Sequence, residues 1–117
     1  MKRLASEYFK NSQGNCAQAV VTAWHKKTSK NADLVEELSN SGHGRAPDGL
    51  CGALHAIHRL VDQNSAAKLN IKFKDAAGGY SKCWEIRTAK TLQCTECVEV
   101  AADLLEKHLE AEKPEKG

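Results

Sequence analysis

Aromatic residues are scarce in this sequence, and long apolar runs are missing from it altogether. Phe, Trp and Tyr make up 5% of its 117 residues, so a core must be packed mostly from Ala, Val and Leu, small side chains that suit closely approaching helices. No apolar stretch nears the roughly 20 residues that a membrane span needs. The basic start MKRLASEYFKNS carries no apolar segment of the secretory kind. An excess of one charge sign is lacking as well. Seventeen Lys and Arg stand against fifteen Asp and Glu, a net charge of +2, and the basic residues form no aromatic-interleaved face, which argues against a nucleic-acid partner. The expectation is a cytoplasmic protein with neither a membrane nor a nucleic-acid partner. No segment shows the apolar–polar alternation of a half-buried strand, and no internal repeat is evident.

What is present reads as helix. Apolar residues at 41% and charged residues at 27% are globular composition, and the length suits one compact domain. Residues 3–10 form a short helical pattern ended by the polar turn SQGN. Asn15 is placed to cap the next helix, whose buried stripe would be Ala17, Val20, Val21 and Trp24. Asp33 to Leu38 can make a third, short helix. Pro47 and Gly49 mark a boundary, with Asp48 as a candidate cap, after which Leu54, Ile57 and Val61 follow the helical period. A helix from Ser65 to about Ala77 would stop at Gly78 and Gly79. Ser81 could cap a helix holding Cys83, Trp84 and Ile86. The last helix begins near Thr91 and carries Cys94, Val98, Ala101, Leu105 and Leu109 on one face. These patterns predict an all-α bundle of five to six short helices, with residues 1–113 as one helical redox or metal-binding domain and 114–117 as a polar tail.

Five cysteines in such a chain are the unusual feature. They cannot all pair with one another, and a reducing cytoplasm does not preserve structural disulfides, so metal binding or redox chemistry is the leading explanation. Cys16, Cys51, Cys83 and Cys94 each fall at the start of a candidate helix, where unpaired N–H groups and the positive end of the dipole favour a thiolate. The same groups would stabilise a metal–thiolate centre. CTEC, residues 94–97, sets Cys94 and Cys97 on one helical side, about 5–6 Å apart at Cβ, within reach of one metal. Its other use, as a redox dithiol, ordinarily belongs to a βαβ context that this chain lacks. Val98 follows Cys97 where c-type haem attachment requires His. Four thiolates would also make a good zinc site. Gly49 and Gly52 could let backbone approach a cofactor, or could serve only the turn and tight packing. Cys51, His55 and His58 share one helical stripe, so a mixed Cys/His site is open to the chain. A Cys51–His55 nucleophilic pair would lack a recognisable orienting group. His25, His43 and His108 read as solvated.

The pieces GNCAQAV at 14–20, DGLCGALHA at 48–56, the stretch from Phe73 through the paired glycines to CWEI, and CTECVEVAA at 94–102 span most of the chain. In them the sequence resembles the family of redox-active proteins named for the pattern C, CGAxxG, C, C. The family cysteines then fall on Cys16, Cys51, Cys83 and Cys94. Cys97 is additional to that pattern, and Ala56 stands where the motif ends in glycine. The resemblance implies a small helical redox protein, and a related domain in a multihaem cytochrome is assigned an iron–sulfur centre, which favours iron–sulfur over zinc. The expected function is therefore electron transfer or redox sensing through a cluster held by Cys16, Cys51, Cys83 and Cys94, with Cys97 as a spare or alternative ligand. Metal-free thiol–disulfide exchange and a structural zinc module that binds another protein are the alternatives. An unidentified redox protein would be its partner, and the small-residue helix faces could support a homodimer.

Overall fold

Apolar residues at helical spacing close into seven α-helices among the described residues, where five to six were expected. The computed structural model describes residues 1–11, 13–30, 32–39, 49–90 and 92–112. In chain order the helices are α1 (Lys2–Lys10), α2 (Cys16–Thr28), α3 (Asp33–Glu37), α4 (Gly52–Leu60), α5 (Gln63–Ala76), α6 (Cys83–Ala89) and α7 (Cys94–Glu112). Each of the seven coincides with a segment read as helical from the sequence, the two shortest, α3 and α6, included, so the total of five to six understated its own segments. No strand occurs among the described residues; one isolated antiparallel bridge joins Leu50 to Lys82. The readings placed on His43, Pro47, Asp48, Thr91 and residues 114–117 lie outside the described residues.

Local chemistry sets most boundaries. Asn15 caps α2 through a full capping box, its side chain accepting from the Gln18 N–H at 2.8 Å while the Gln18 side chain accepts from the Asn15 N–H at 3.0 Å. The Asp62 carboxylate accepts from the Ser65 N–H at 2.8 Å, so α5 begins two residues earlier than its apolar pattern suggested. Gly78 and Gly79, at φ 75° and 97°, take the left-handed conformation that ends the chain's run after α5. Ser81 does not cap α6; Lys82 occupies that position without a side-chain cap.

The core is built from small and branched side chains, as the shortage of aromatics requires. Ala17, Val20, Val21, Leu54, Ile57, Val98, Ala101 and Leu105 are buried in one cluster, joined by Phe73 and Trp24. Helix α7 is the axis of the bundle, packing against α1, α2, α4 and α5, while α2 also meets α1, α3 and α4. No helix of the described residues is long and apolar enough to cross a membrane.

Candidate functional site

Four cysteines stand at helix starts. Cys16, Cys83 and Cys94 are the first residues of α2, α6 and α7, and Cys51 is the N-cap of α4, one place earlier than the first-turn position expected for it. Backbone and side-chain hydrogen bonds fix three of these starts in place. The Cys51 N–H donates to the Ser81 carbonyl at 2.9 Å, and with the adjoining Leu50–Lys82 bridge this ties the beginning of α4 to the beginning of α6. The Asn15 amide donates to the carbonyls of Leu38 and Ser39 at 2.8 and 3.0 Å, fixing the beginning of α2 against the end of α3. At α7 the Glu96 carboxylate accepts from the Gln93 N–H at 2.8 Å, which defines where the helix carrying CTEC begins.

The five thiols line one pocket. Its remaining walls are the apolar side chains of Phe9, Ile86 and Leu92 and the guanidinium-bearing Arg87. The cavity is small, about 20 Å³, and opens in part to solvent. Cys16, Cys51, Cys83 and Cys97 are buried and Cys94 is half-buried; all five are thiols rather than disulfides.

Cys51 and Cys97 are hydrogen-bonded to each other. The Cys97 S–H donates to the Cys51 sulfur and, with the backbone N–H groups of Leu54 and Ala53, outweighs burial to bring the Cys51 thiol down to about 7. The same hydrogen bond, together with burial and the neighbouring sulfurs, holds Cys97 protonated well above the usual thiol range. Burial pushes Cys83 up, opposed by a hydrogen bond from Arg87 one helical turn away. This pocket therefore pairs a thiolate former with a thiol donor in a largely apolar enclosure.

The sequence-based site residues fall on both sides of this arrangement. Cys16, Cys51, Cys83, Cys94 and Cys97 are brought together, including the cysteine extra to the four-Cys pattern. Gly49 and Gly52 do not line the pocket. Gly49 sits at φ 72°, a conformation that side chains rarely adopt, at the turn leading into Cys51. His55 and His58 also stand outside the lining, and His58 pairs with Asn70 at 3.2 Å instead. His25 bonds the Lys30 carbonyl at 3.1 Å. With the side chains as placed, no three His, Cys, Asp or Glu residues among those described surround a single metal-ion position. Arg87 was not anticipated, although its place four residues after Cys83 on a helix was a readable signal. Phe9 and Leu92 gave no such signal, because their part in the wall arises only from helix packing. No family model, curated protein or solved structure matches the chain.

Proposed function

We propose that the five-cysteine pocket is a redox centre in which Cys16, Cys51, Cys83 and Cys94 hold an iron–sulfur cluster, with Cys97 as a spare or alternative ligand. The observation that carries this reading is the gathering of thiols from the starts of four helices around one small pocket. A donor set made of thiols suits such a cluster, and the similarity in the four-cysteine pattern points the same way. Helix N-termini offer N–H groups to negatively charged sulfur. Arg87 adds a positive charge beside Cys83, and Phe9, Ile86 and Leu92 limit water. A bound cluster would supply one-electron transfer, so the protein would act as an electron carrier or redox sensor for another redox protein in the cytoplasm.

The test is iron and acid-labile sulfide analysis, with a visible spectrum, on protein purified without oxygen. Iron with sulfide and a broad absorption that bleaches on reduction is the expected result. Cys51→Ser should remove most of the iron, and full retention of iron in that variant overturns the assignment. Zinc without any redox change would replace it with a structural zinc module.

Metal-free thiol–disulfide exchange is a second reading, favoured by one observation: Cys51 is lowered to about 7, so a large part of it is thiolate at neutral pH. That reading expects a mixed disulfide with a partner protein that can be trapped after Cys97→Ser.

A further inference from the structure

We propose that Cys97 is the resolving partner of Cys51, and that a peroxide converts the two thiols of the metal-free pocket into a Cys51–Cys97 disulfide joining α4 to α7. The function assigned to the four-cysteine set gives Cys97 only the place of a spare or alternative ligand. Its side chain nevertheless lines the same pocket as that of Cys51, from a helix packed against α4, the two thiols interact, and both residues are only 4% exposed.

The competing bridge is the one the sequence advertises, between Cys94 and Cys97. Both lie on α7 three residues apart, a spacing that leaves their Cβ atoms about 5–6 Å apart. A disulfide needs about 3.5–4.5 Å, so that bridge requires the first turn of α7 to tighten, and peptide mapping distinguishes it from the Cys51–Cys97 bridge. Cys51 belongs to the start of α4, so its spacing to Cys97 is not fixed by a shared helical turn. Hydrogen peroxide, close to water in size, is small enough to enter the pocket, which opens in part to solvent.

The chemistry balances in two steps. The Cys51 sulfur, held by the N–H groups of Ala53 and Leu54, attacks one peroxide oxygen; the O–O bond breaks, a sulfenic acid forms and the other oxygen leaves as water after taking a proton. Cys97 then attacks the Cys51 sulfur, the S–O bond breaks, and the hydroxyl leaves with the Cys97 proton as a second water. The sulfur pair loses two electrons and the peroxide gains two. Resting on the cluster reading, one consequence follows: the disulfide takes Cys51 out of the ligand set, so oxidation and cluster loading exclude each other until a dithiol reductant restores the pair.

The experiment treats full-length, reduced, metal-free protein with stoichiometric hydrogen peroxide, then counts thiols and maps peptides by mass spectrometry without reduction. Two thiols should be lost, the mass should fall by two hydrogens, and one linked species should join the peptides containing Cys51 and Cys97. Cys97→Ser should abolish the link and leave Cys51 as a sulfenic or sulfinic acid, while Cys94→Ser should keep the link. Linkage through any other pair, or no linkage at all, overturns the proposal. Iron and sulfide reconstitution separates the two ideas. Oxidised protein should take up iron only after reduction, and equal uptake by both forms would overturn the exclusion. A protein that forms the link but loads no iron in either state upholds the dithiol and overturns the cluster reading alone.

Discussion

The Cys97 thiol donates a hydrogen bond to the sulfur of Cys51, across the interface between the start of α4 and the first turn of α7. This contact is the largest influence holding Cys51 at about 7 against an ordinary 9.0. Alkylation of Cys51 by a small neutral reagent should therefore rise with pH to a midpoint near 7 in the reduced, metal-free protein. In Cys97→Ala the donor is gone, and the midpoint should move up toward the ordinary value. The rate at pH 7 should fall roughly tenfold, the loss of thiolate being partly offset by its greater nucleophilicity. A pH–rate profile followed by mass spectrometry at Cys51 checks this. An unchanged midpoint would mean that the helix N–H groups alone set it.

The same pair gives stability a defined dependence on pH. Folded Cys51 loses its proton near pH 7, whereas the unfolded chain keeps it until about 9. Between those values the unfolded state binds more protons, so stability rises with pH; this contribution is complete above the unfolded value and disappears as pH falls through 7. Cys97 and Cys83 are raised and act in the opposite sense, contributing stability below their ordinary 9.0 that is lost as pH climbs beyond it. Urea denaturation of reduced, metal-free protein should show a midpoint that increases from pH 7 toward 9 and declines at higher pH. A midpoint that falls across the first interval contradicts the assignment of the thiolate to Cys51.

Arg87 is the charged residue in the pocket wall, and its hydrogen bond to Cys83 opposes the effect of burial on that thiol. Arg87→Gln should raise Cys83 further and slow its alkylation at pH 8. Because Arg87 is exposed, solvent screens it, and the slowing should be tenfold or less. Arg87→Lys keeps the charge and should recover part of the rate, whereas equal rates in all three proteins would remove Arg87 from the electrostatics of the site.

Helix was legible because it is a local property. The stripe Ala17, Val20, Val21 and Trp24, the Asn15 cap and the stop at Gly78 and Gly79 follow from neighbours within one or two turns, and each stands where the pattern put it. The placement of cysteines at helix starts was legible for the same reason. Pairing across the fold was not. Cys97 reads as the partner of Cys94 on its own helix, yet its sulfur meets Cys51, 46 positions away in sequence, because the Cys51 N–H to Ser81 bond and the packing of α4 on α7 act over distances that no periodicity encodes. Cys51, His55 and His58 do share a stripe, but that stripe turns its histidines away from the sulfur pocket. Cap chemistry also misled at Ser81, where the backbone bond to Cys51 engages the carbonyl and Lys82 takes the cap position.

Asn15 joins helix stability to the site and can be dissected by two substitutions. Its side-chain oxygen caps α2 beside Cys16, and its side-chain nitrogen donates to the carbonyls of Leu38 and Ser39. Asn15→Ala removes both functions and should cost about 1–2 kcal/mol. Asn15→Asp keeps a cap acceptor, and its negative charge suits the helix N-terminus, but it cannot donate and sets a carboxylate against two carbonyl oxygens. If the tie to α3 matters, Asn15→Asp should lose stability comparable to Asn15→Ala in urea denaturation. Near-native stability of Asn15→Asp would assign the whole effect to the cap. Thiol counting on the folded variants extends the test to the pocket: once the start of α2 is released from α3, Cys16 should react faster with a small alkylating reagent, while Cys51, held by Ser81 and Cys97, should keep its native rate.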